Sequence, residues 1–168
     1  MNTKIHKENA PKKVAVGIIT VSTTRSLKDD ESGHWICKRA KKEGHEVVFH
    51  QVVPDEIAAI TSTVLDVIRN FGPEVLLLTG GTGITDRDVT IEAVRPLFGK
   101  ELTAFGPLFA QLSFEEIDSA ALLSRATAGI VEKTIIFCMP GSLKACKLAL
   151  KALVFPEIGH LVKHVHEG

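Results

Sequence analysis

The sequence predicts an α/β fold, a parallel sheet covered by helices on both faces. Three features lead there. Short apolar runs rich in β-branched residues recur along the chain, amphipathic helical stretches separate them, and a glycine cluster follows one run directly.

Residues 14–21 are short, apolar and rich in valine and isoleucine, as expected of a strand buried on both faces. A hydroxyl-rich loop follows, Ser22-Thr23-Thr24-Arg25-Ser26, and then a helix over 31–43 that Gly44 closes as a C-terminal cap. Residues 47–53 read as the second strand. Pro54-Asp55-Glu56 opens a helix in which Ile57, Ile60, Val64, Val67 and Phe71 recur at helical spacing, and Gly72-Pro73 ends it. The third strand, 74–79, runs straight into Gly80-Gly81-Thr82-Gly83. Residues 86–97, 107–117 and 119–128 read as helices. A strand over 134–138 precedes the turn Pro140-Gly141-Ser142 and a helix reaching 154. Pro156 starts the last helix, with Ile158, Leu161, Val162 and Val165 on one face. No repeat or second-domain boundary interrupts 14–168, so these residues are expected to form one domain. The polar, basic residues 1–13 are expected to be a flexible N-terminal tail.

A chain of 168 residues buries enough surface to need no disulfide or metal staple. Twenty basic side chains balance twenty acidic ones, which gives no electrostatic support for a nucleic-acid or membrane-surface partner. Cys37, Cys138 and Cys146 are far apart, odd in number and without metal-ligand spacing, so reduced thiols in a cytoplasmic protein are expected. No apolar stretch approaches the roughly 20 residues of a membrane span, and the first residues lack the apolar core of a secretory signal.

In open parallel sheets, ligands bind beyond the carboxyl ends of the strands. Four predicted loops lie at such ends: 22–26, Pro54-Asp55, 80–88 and 140–142. The glycine cluster lets backbone N–H groups approach phosphate oxygens closely, although a tight strand-to-helix turn would use the same residues. It is not a dinucleotide fingerprint, because Asp86 stands where the third glycine belongs, and no G-K-[ST] exists for a Walker loop. Asp86-Arg87-Asp88 follows at once. Carboxylates beside a phosphate turn suit Mg²⁺, and Arg87 offers a planar donor pair. Thr85-x-x-Asp88 also matches a capping box. Asp55, at a helix start, is by itself an ordinary N-cap. Across the site from Asp88, it would complete a carboxylate pair suited to nucleotidyl transfer. Asp30, Ser32 and Gly33 open the first helix and Ser142 a later one, each as a cap or a ligand contact. His160 and His164, four apart on the last helix, suit the negative end of its dipole better than a metal.

Seven segments, in this order and spacing, resemble the molybdopterin adenylyltransferase family, the MogA/MoaB-like proteins. They are Ile19-Thr20-Val21-Ser22, Asp30-Glu31-Ser32-Gly33, Val53-Pro54-Asp55-Glu56 and Leu78 to Gly83, then Arg87-Asp88-Val89-Thr90, Leu123-Ser124-Arg125-Ala126 and Met139-Pro140-Gly141-Ser142. The tail Pro156-Glu157-Ile158-Gly159-His160-Leu161 resembles the MoaB branch. The resemblance covers 14–166 and implies a three-layer α/β/α sandwich, Rossmann-like, with a mostly parallel sheet.

It further implies Mg²⁺-dependent transfer of AMP from ATP to the terminal phosphate of molybdopterin, in molybdenum or tungsten cofactor biosynthesis. On matching positions, Asp55 and Asp88 become the catalytic carboxylates and the metal ligands. Gly80, Gly81, Thr82 and Gly83 lie at the reacting phosphates with Arg87, and Ser22 belongs to the same end of the sheet. Asp30, Ser32 and Gly33 fall on the nucleotide side, and Pro140, Gly141 and Ser142 on the pterin side. A homotrimer or homohexamer handing product to a metal-insertion enzyme is also implied. Two neighbouring readings use the same residues: a pterin-binding carrier or scaffold without catalysis, and a nucleotide-hydrolysing domain like that of competence-damage-inducible proteins. The chain departs from the family pattern at Ile91, where a proline is frequent, and at Pro107, where many relatives have glutamate.

Overall fold

The computed structural model describes residues 9–168; the first eight residues of the expected tail lie outside them. Pro11 already meets the body of the protein, because its carbonyl oxygen occupies the space where a side chain on Gly159 would begin.

Six strands form one sheet in the order β2-β1-β3-β6-β5-β4. They are β1 (Ala15–Val21), β2 (Glu46–Val53), β3 (Val75–Thr79), β4 (Lys100–Glu101), β5 (Thr127–Val131) and β6 (Thr134–Met139). β2, β1, β3 and β6 run parallel, whereas β5 pairs antiparallel with β6, and β4 with β5. Successive side chains of a strand point to opposite faces, and here both faces are covered. Ile18, Leu77 and Phe137 join one buried cluster, with Phe109, Leu150 and Ile158 from the helices. Ile19, Leu78 and Cys138 join the other, with Ile60, Val64 and Ile91. The unbroken apolar runs seen in the sequence are the consequence of this double burial.

The helices are α1 (Glu31–Lys42), α2 (Ile57–Phe71), α3 (Thr90–Val94), α4 (Phe105–Ile117), α5 (Leu143–Ala149) and α6 (Phe155–Glu167). Gly44 takes the expected left-handed conformation beyond α1, with φ of +92°, and Gly72 does the same after α2. The chain is therefore the mostly parallel α/β/α arrangement that the sequence predicts.

Three elements differ from expectation. The helix expected over 86–97 is reduced to α3 and a 3₁₀ turn, Arg95–Leu97. Asp88 closes a tight turn on Thr85 instead, so the helix begins only at Thr90. The stretch 119–128 is a 3₁₀ helix, Asp118–Leu123, followed by β5 rather than a helix. Gly129 of β5 lies under the Phe98 ring, where any Cβ would collide, and this long-range packing outweighs local helical preference. The helices on either side of 154 are also continuous, joined through a π-helical turn, Leu150–Val154. Pro156 lies in the first turn of α6, just beyond that wider turn. A proline there has no N–H to give an ordinary helical ladder.

Candidate active site

The carboxyl ends of β1, β2, β3 and β6 deliver four loops to one cleft of about 290 Å³. Its walls include Ser22, Arg25, Asp55, Gly80, Gly81, Thr82, Gly83, Asp88, Pro140 and Gly141. All four predicted loops converge, as the strand-end rule requires.

The glycine loop is shaped by contacts that leave no room for side chains. Gly80 and Gly81 have φ of +96° and +67°. A Cβ on Gly80 would strike the Val21 carbonyl oxygen, and one on Gly81 would strike the Thr90 hydroxyl. The Gly80 N–H donates to Met139 O at 3.0 Å, and the Thr90 hydroxyl donates to Gly80 O at 2.8 Å. β6 and the start of α3 thus clamp the loop from both ends.

The two aspartates flank this loop. Asp55 Oδ1 lies 3.2 Å from the Cβ position of Gly81, and Asp88 Oδ2 lies 2.7 Å from that of Gly83. Asp55 is held by the loop after β1: its Oδ2 accepts from the Thr23 N–H at 2.8 Å and from the Thr23 hydroxyl at 2.9 Å. Asp88 Oδ2 accepts from the Thr85 N–H at 2.9 Å and the Thr85 hydroxyl at 2.7 Å. Partial burial pushes the Asp88 carboxyl up, but bonds from Thr85 and from the Gly83 N–H, with the nearby Arg125 charge, outweigh it. The net value lies below the usual carboxylate range. Asp88 is therefore an anion at neutral pH. The capping box foreseen at Thr85 forms as a turn rather than as a helix start, and it presents Asp88 to the cleft.

Among the described residues, no cluster of three or more His, Cys, Asp or Glu side chains forms a metal cage. The charged ligands lining the cleft are two carboxylates. This hard, oxygen-only donor set fits Mg²⁺, which takes one or two carboxylates and fills its shell with water and substrate phosphate. None of the three cysteines lines the cleft, and burial pushes the Cys138 thiol up to about 12.

Other expected contacts lie behind or beside the cleft wall. Asp30 is fully buried and caps α1, its Oδ1 accepting from the Gly33 N–H at 2.9 Å. Its Oδ2 accepts from the Thr20 hydroxyl and bonds His50 Nε2, both at 2.7 Å. Gly33 is packed directly against that carboxylate, and the Ser32 hydroxyl donates to Gly141 O at 2.8 Å. Asp30, Ser32 and Gly33 therefore brace the wall from behind instead of facing into the cleft, because buried polar groups here find their partners inside the protein. Ser142 caps α5 by accepting from the Ala145 N–H at 3.1 Å, and its side chain lies outside the cleft lining. Arg87 is exposed and does not line the cleft. Pro107 occupies the first turn of α4, where its missing N–H would have no helical partner.

Sequence reasoning passed over Thr24, Leu123 and Ser124, which line the cleft, and Arg125, which braces it. Arg125 Nε donates to Thr82 O at 3.1 Å and to Gly83 O at 3.0 Å, and its guanidinium pairs with Glu92. It staples the glycine loop to α3. The motif Leu123-Ser124-Arg125-Ala126 was the sole sign, since the surrounding residues read as a helix.

The fold and this cleft define a class: an α/β protein with a glycine-rich, carboxylate-flanked cleft at the carboxyl edge of its parallel strands. The chain belongs to the family described as "Probable molybdopterin binding domain", whose model matches residues 17–160. It is 44% identical to molybdenum cofactor biosynthesis protein B of Bacillus subtilis strain 168, over 99% of each chain. It is 40% identical to a molybdopterin adenylyltransferase of Pyrococcus furiosus, over 99% of this chain and all of that one. The crystal structure of the tungsten cofactor synthesizing protein MoaB from Pyrococcus furiosus superposes with a TM-score of 0.85 at 40% identity. That match covers 93% of this chain and 99% of the other. No helix among the described residues is long and apolar enough to cross a membrane.

Proposed function

We propose that this chain works in molybdenum or tungsten cofactor biosynthesis as a cytoplasmic adenylyltransferase. It moves AMP from ATP to the terminal phosphate of molybdopterin and releases pyrophosphate. The observation that carries this reading is the pairing of Asp55 and Asp88 on either side of one glycine loop in one cleft. A full-length relative named as a molybdopterin adenylyltransferase supports the same activity.

The chain's own residues divide the work. Backbone N–H groups of the glycine loop approach phosphate oxygens without a side chain intervening. The clamp from Thr90 and Arg125 keeps that loop in a fixed shape, so the phosphates are positioned before reaction. Asp55 and Asp88 would hold Mg²⁺, which supplies neutralisation of polyphosphate charge. Ser22, Pro140 and Gly141 line the cleft beside them, while Asp30, Ser32 and Gly33 support it from below. Product passes to a metal-insertion enzyme, and the working form is a homotrimer or homohexamer.

Pyrophosphate release measured with ATP, Mg²⁺ and molybdopterin tests this. Signal is expected only when all three are present. Asp88→Asn is expected to lower the rate by about 100-fold or more, because a charge at the reacting phosphates is lost. Release that ignores molybdopterin would remove the assignment, and tight pterin binding without turnover would leave a carrier.

A further inference from the structure

Arg25 stands in the wall between two hollows. One is the cleft described above. The other, of about 460 Å³, is bounded by Thr23, Ser26, Leu27, Gln51 and Pro54, and the two hollows share Ser22 and Arg25 in their linings. Transfer of a group between two bound molecules requires their reacting ends to meet, and a side chain common to both linings can reach groups bound on either side.

Charge singles out the same residue. Arg25 is the one Lys, Arg or His among the described residues that line the cleft, set against the carboxylates of Asp55 and Asp88. The guanidinium of Arg125 is already committed to Glu92 and to loop carbonyls. The Arg25 guanidinium makes one long contact, Nη1 to Gly141 O at 3.5 Å. A bond of that length to an uncharged carbonyl is weak, and a two-pronged bond to a charged phosphate is far stronger.

The loop that carries Arg25 is pinned. The Ser22 hydroxyl accepts from the N–H groups of Thr24 and Arg25 at 3.3 and 3.1 Å. Thr23 is bonded to Asp55, and the Ser26 hydroxyl donates to Asp29 Oδ2 at 2.6 Å. With the backbone fixed, the place of the charge is left to the side-chain rotamers of Arg25.

We propose that Arg25 is a catalytic residue whose guanidinium binds the α-phosphoryl group and the departing pyrophosphate where the two hollows meet. The inference rests on the adenylyl-transfer reading. In that reaction a terminal phosphate oxygen of the pterin uses a lone pair to form a bond to the α-phosphorus of ATP. The bond from that phosphorus to the α,β-bridging oxygen breaks, and its electron pair leaves on pyrophosphate. No proton or redox equivalent is exchanged. Negative charge gathers on the bridging oxygen as the bond breaks, and a guanidinium there lowers the barrier.

The test compares the full-length protein with Arg25→Gln and Arg25→Lys, in turnover and in binding. Pterin-dependent pyrophosphate release is expected to fall about 100-fold in Arg25→Gln, mainly in kcat, with partial recovery in Arg25→Lys. Calorimetric titration with inorganic pyrophosphate and Mg²⁺ is expected to show binding about tenfold weaker in Arg25→Gln. Wild-type turnover together with unchanged kcat in Arg25→Gln overturns the role of Arg25 alone. Absence of turnover in the wild type overturns the adenylyl-transfer reading instead. The pyrophosphate titration then decides for Arg25 by itself: unchanged affinity refutes it, and weakened affinity upholds the phosphate contact.

Discussion

At the scale of single residues, Asp30 and His50 form a buried pair beneath the cleft, with the Asp30 side chain fully buried and that of His50 13% exposed. Bonds to Asp30 and Cys37 outweigh desolvation and raise His50 to about 9. Burial pushes Asp30 up, yet the bonds from His50, Thr20 and the Gly33 N–H carry it below its ordinary value. The sign follows from both directions. A histidine raised above 6.5 contributes stability that is whole below that value and is lost as pH rises through about 9. The aspartate's contribution is present above its ordinary value and is lost as pH falls below it. The wild-type melting temperature should therefore decline from about pH 6.5 to about pH 9 and level off above. His50→Ala, which leaves a buried carboxylate unpaired, should lower stability by about 3 kcal/mol at pH 7 and flatten that decline. Melting curves at pH 6 to 10 for both proteins check this; parallel curves would deny the pair its role. The sequence showed Asp30 as a cap and a motif member, but the motif's family role pointed it toward ligand. Its partner His50 lies twenty residues away on β2, beyond the reach of local spacing.

Two left-handed glycines separate, at the scale of elements, what a turn requires from what a site requires. Gly44 ends α1 with φ of +92°, and a Cβ there meets nothing closer than Lys12 O at 3.9 Å. Gly44→Ala should cost about 1 kcal/mol, the conformational term alone, and leave turnover intact. Gly81, with φ of +67°, would add a collision with the Thr90 hydroxyl and crowd Asp55. Gly81→Ala should cost at least as much stability and reduce pyrophosphate release by more than tenfold, because the loop or Asp55 must move. Denaturant unfolding and turnover, measured side by side, distinguish the two cases; equal turnover in both would mean that the glycine loop is only a bend. Strands β1, β2, β3 and β6 and helices α1 and α2 were legible because apolar runs and helical spacing agree with their tertiary setting. β5 was not. Its residues carry no alternation, and its place is set by pairing with β6 and by Phe98 over Gly129.

For the whole molecule, α4 and the turn after it leave large apolar side chains in solvent: Leu108, Phe114, Leu122 and Leu123. Exposed apolar side chains of this size are what a subunit contact would bury. The homo-oligomer proposed above would cover it. Sedimentation is expected to give a mass three or six times the 18.2 kDa of one chain, and Phe114→Glu should shift the distribution toward monomer. A protein that sediments as a monomer at tens of micromolar would end that proposal. By itself the sequence determined the alternation of strands and helices, the four loops at strand ends, and the residue types suited to phosphate and metal. These follow from local chemistry: apolar periodicity, turn residues and charge. Only the tertiary structure decided which of those residues share a space. Sheet order brings the ends of β1, β2, β3 and β6 side by side, so Asp55 and Asp88 face the cleft while Asp30, Ser32 and Arg87 do not. That outcome depends on contacts between residues far apart in the chain, which spacing along the chain does not encode.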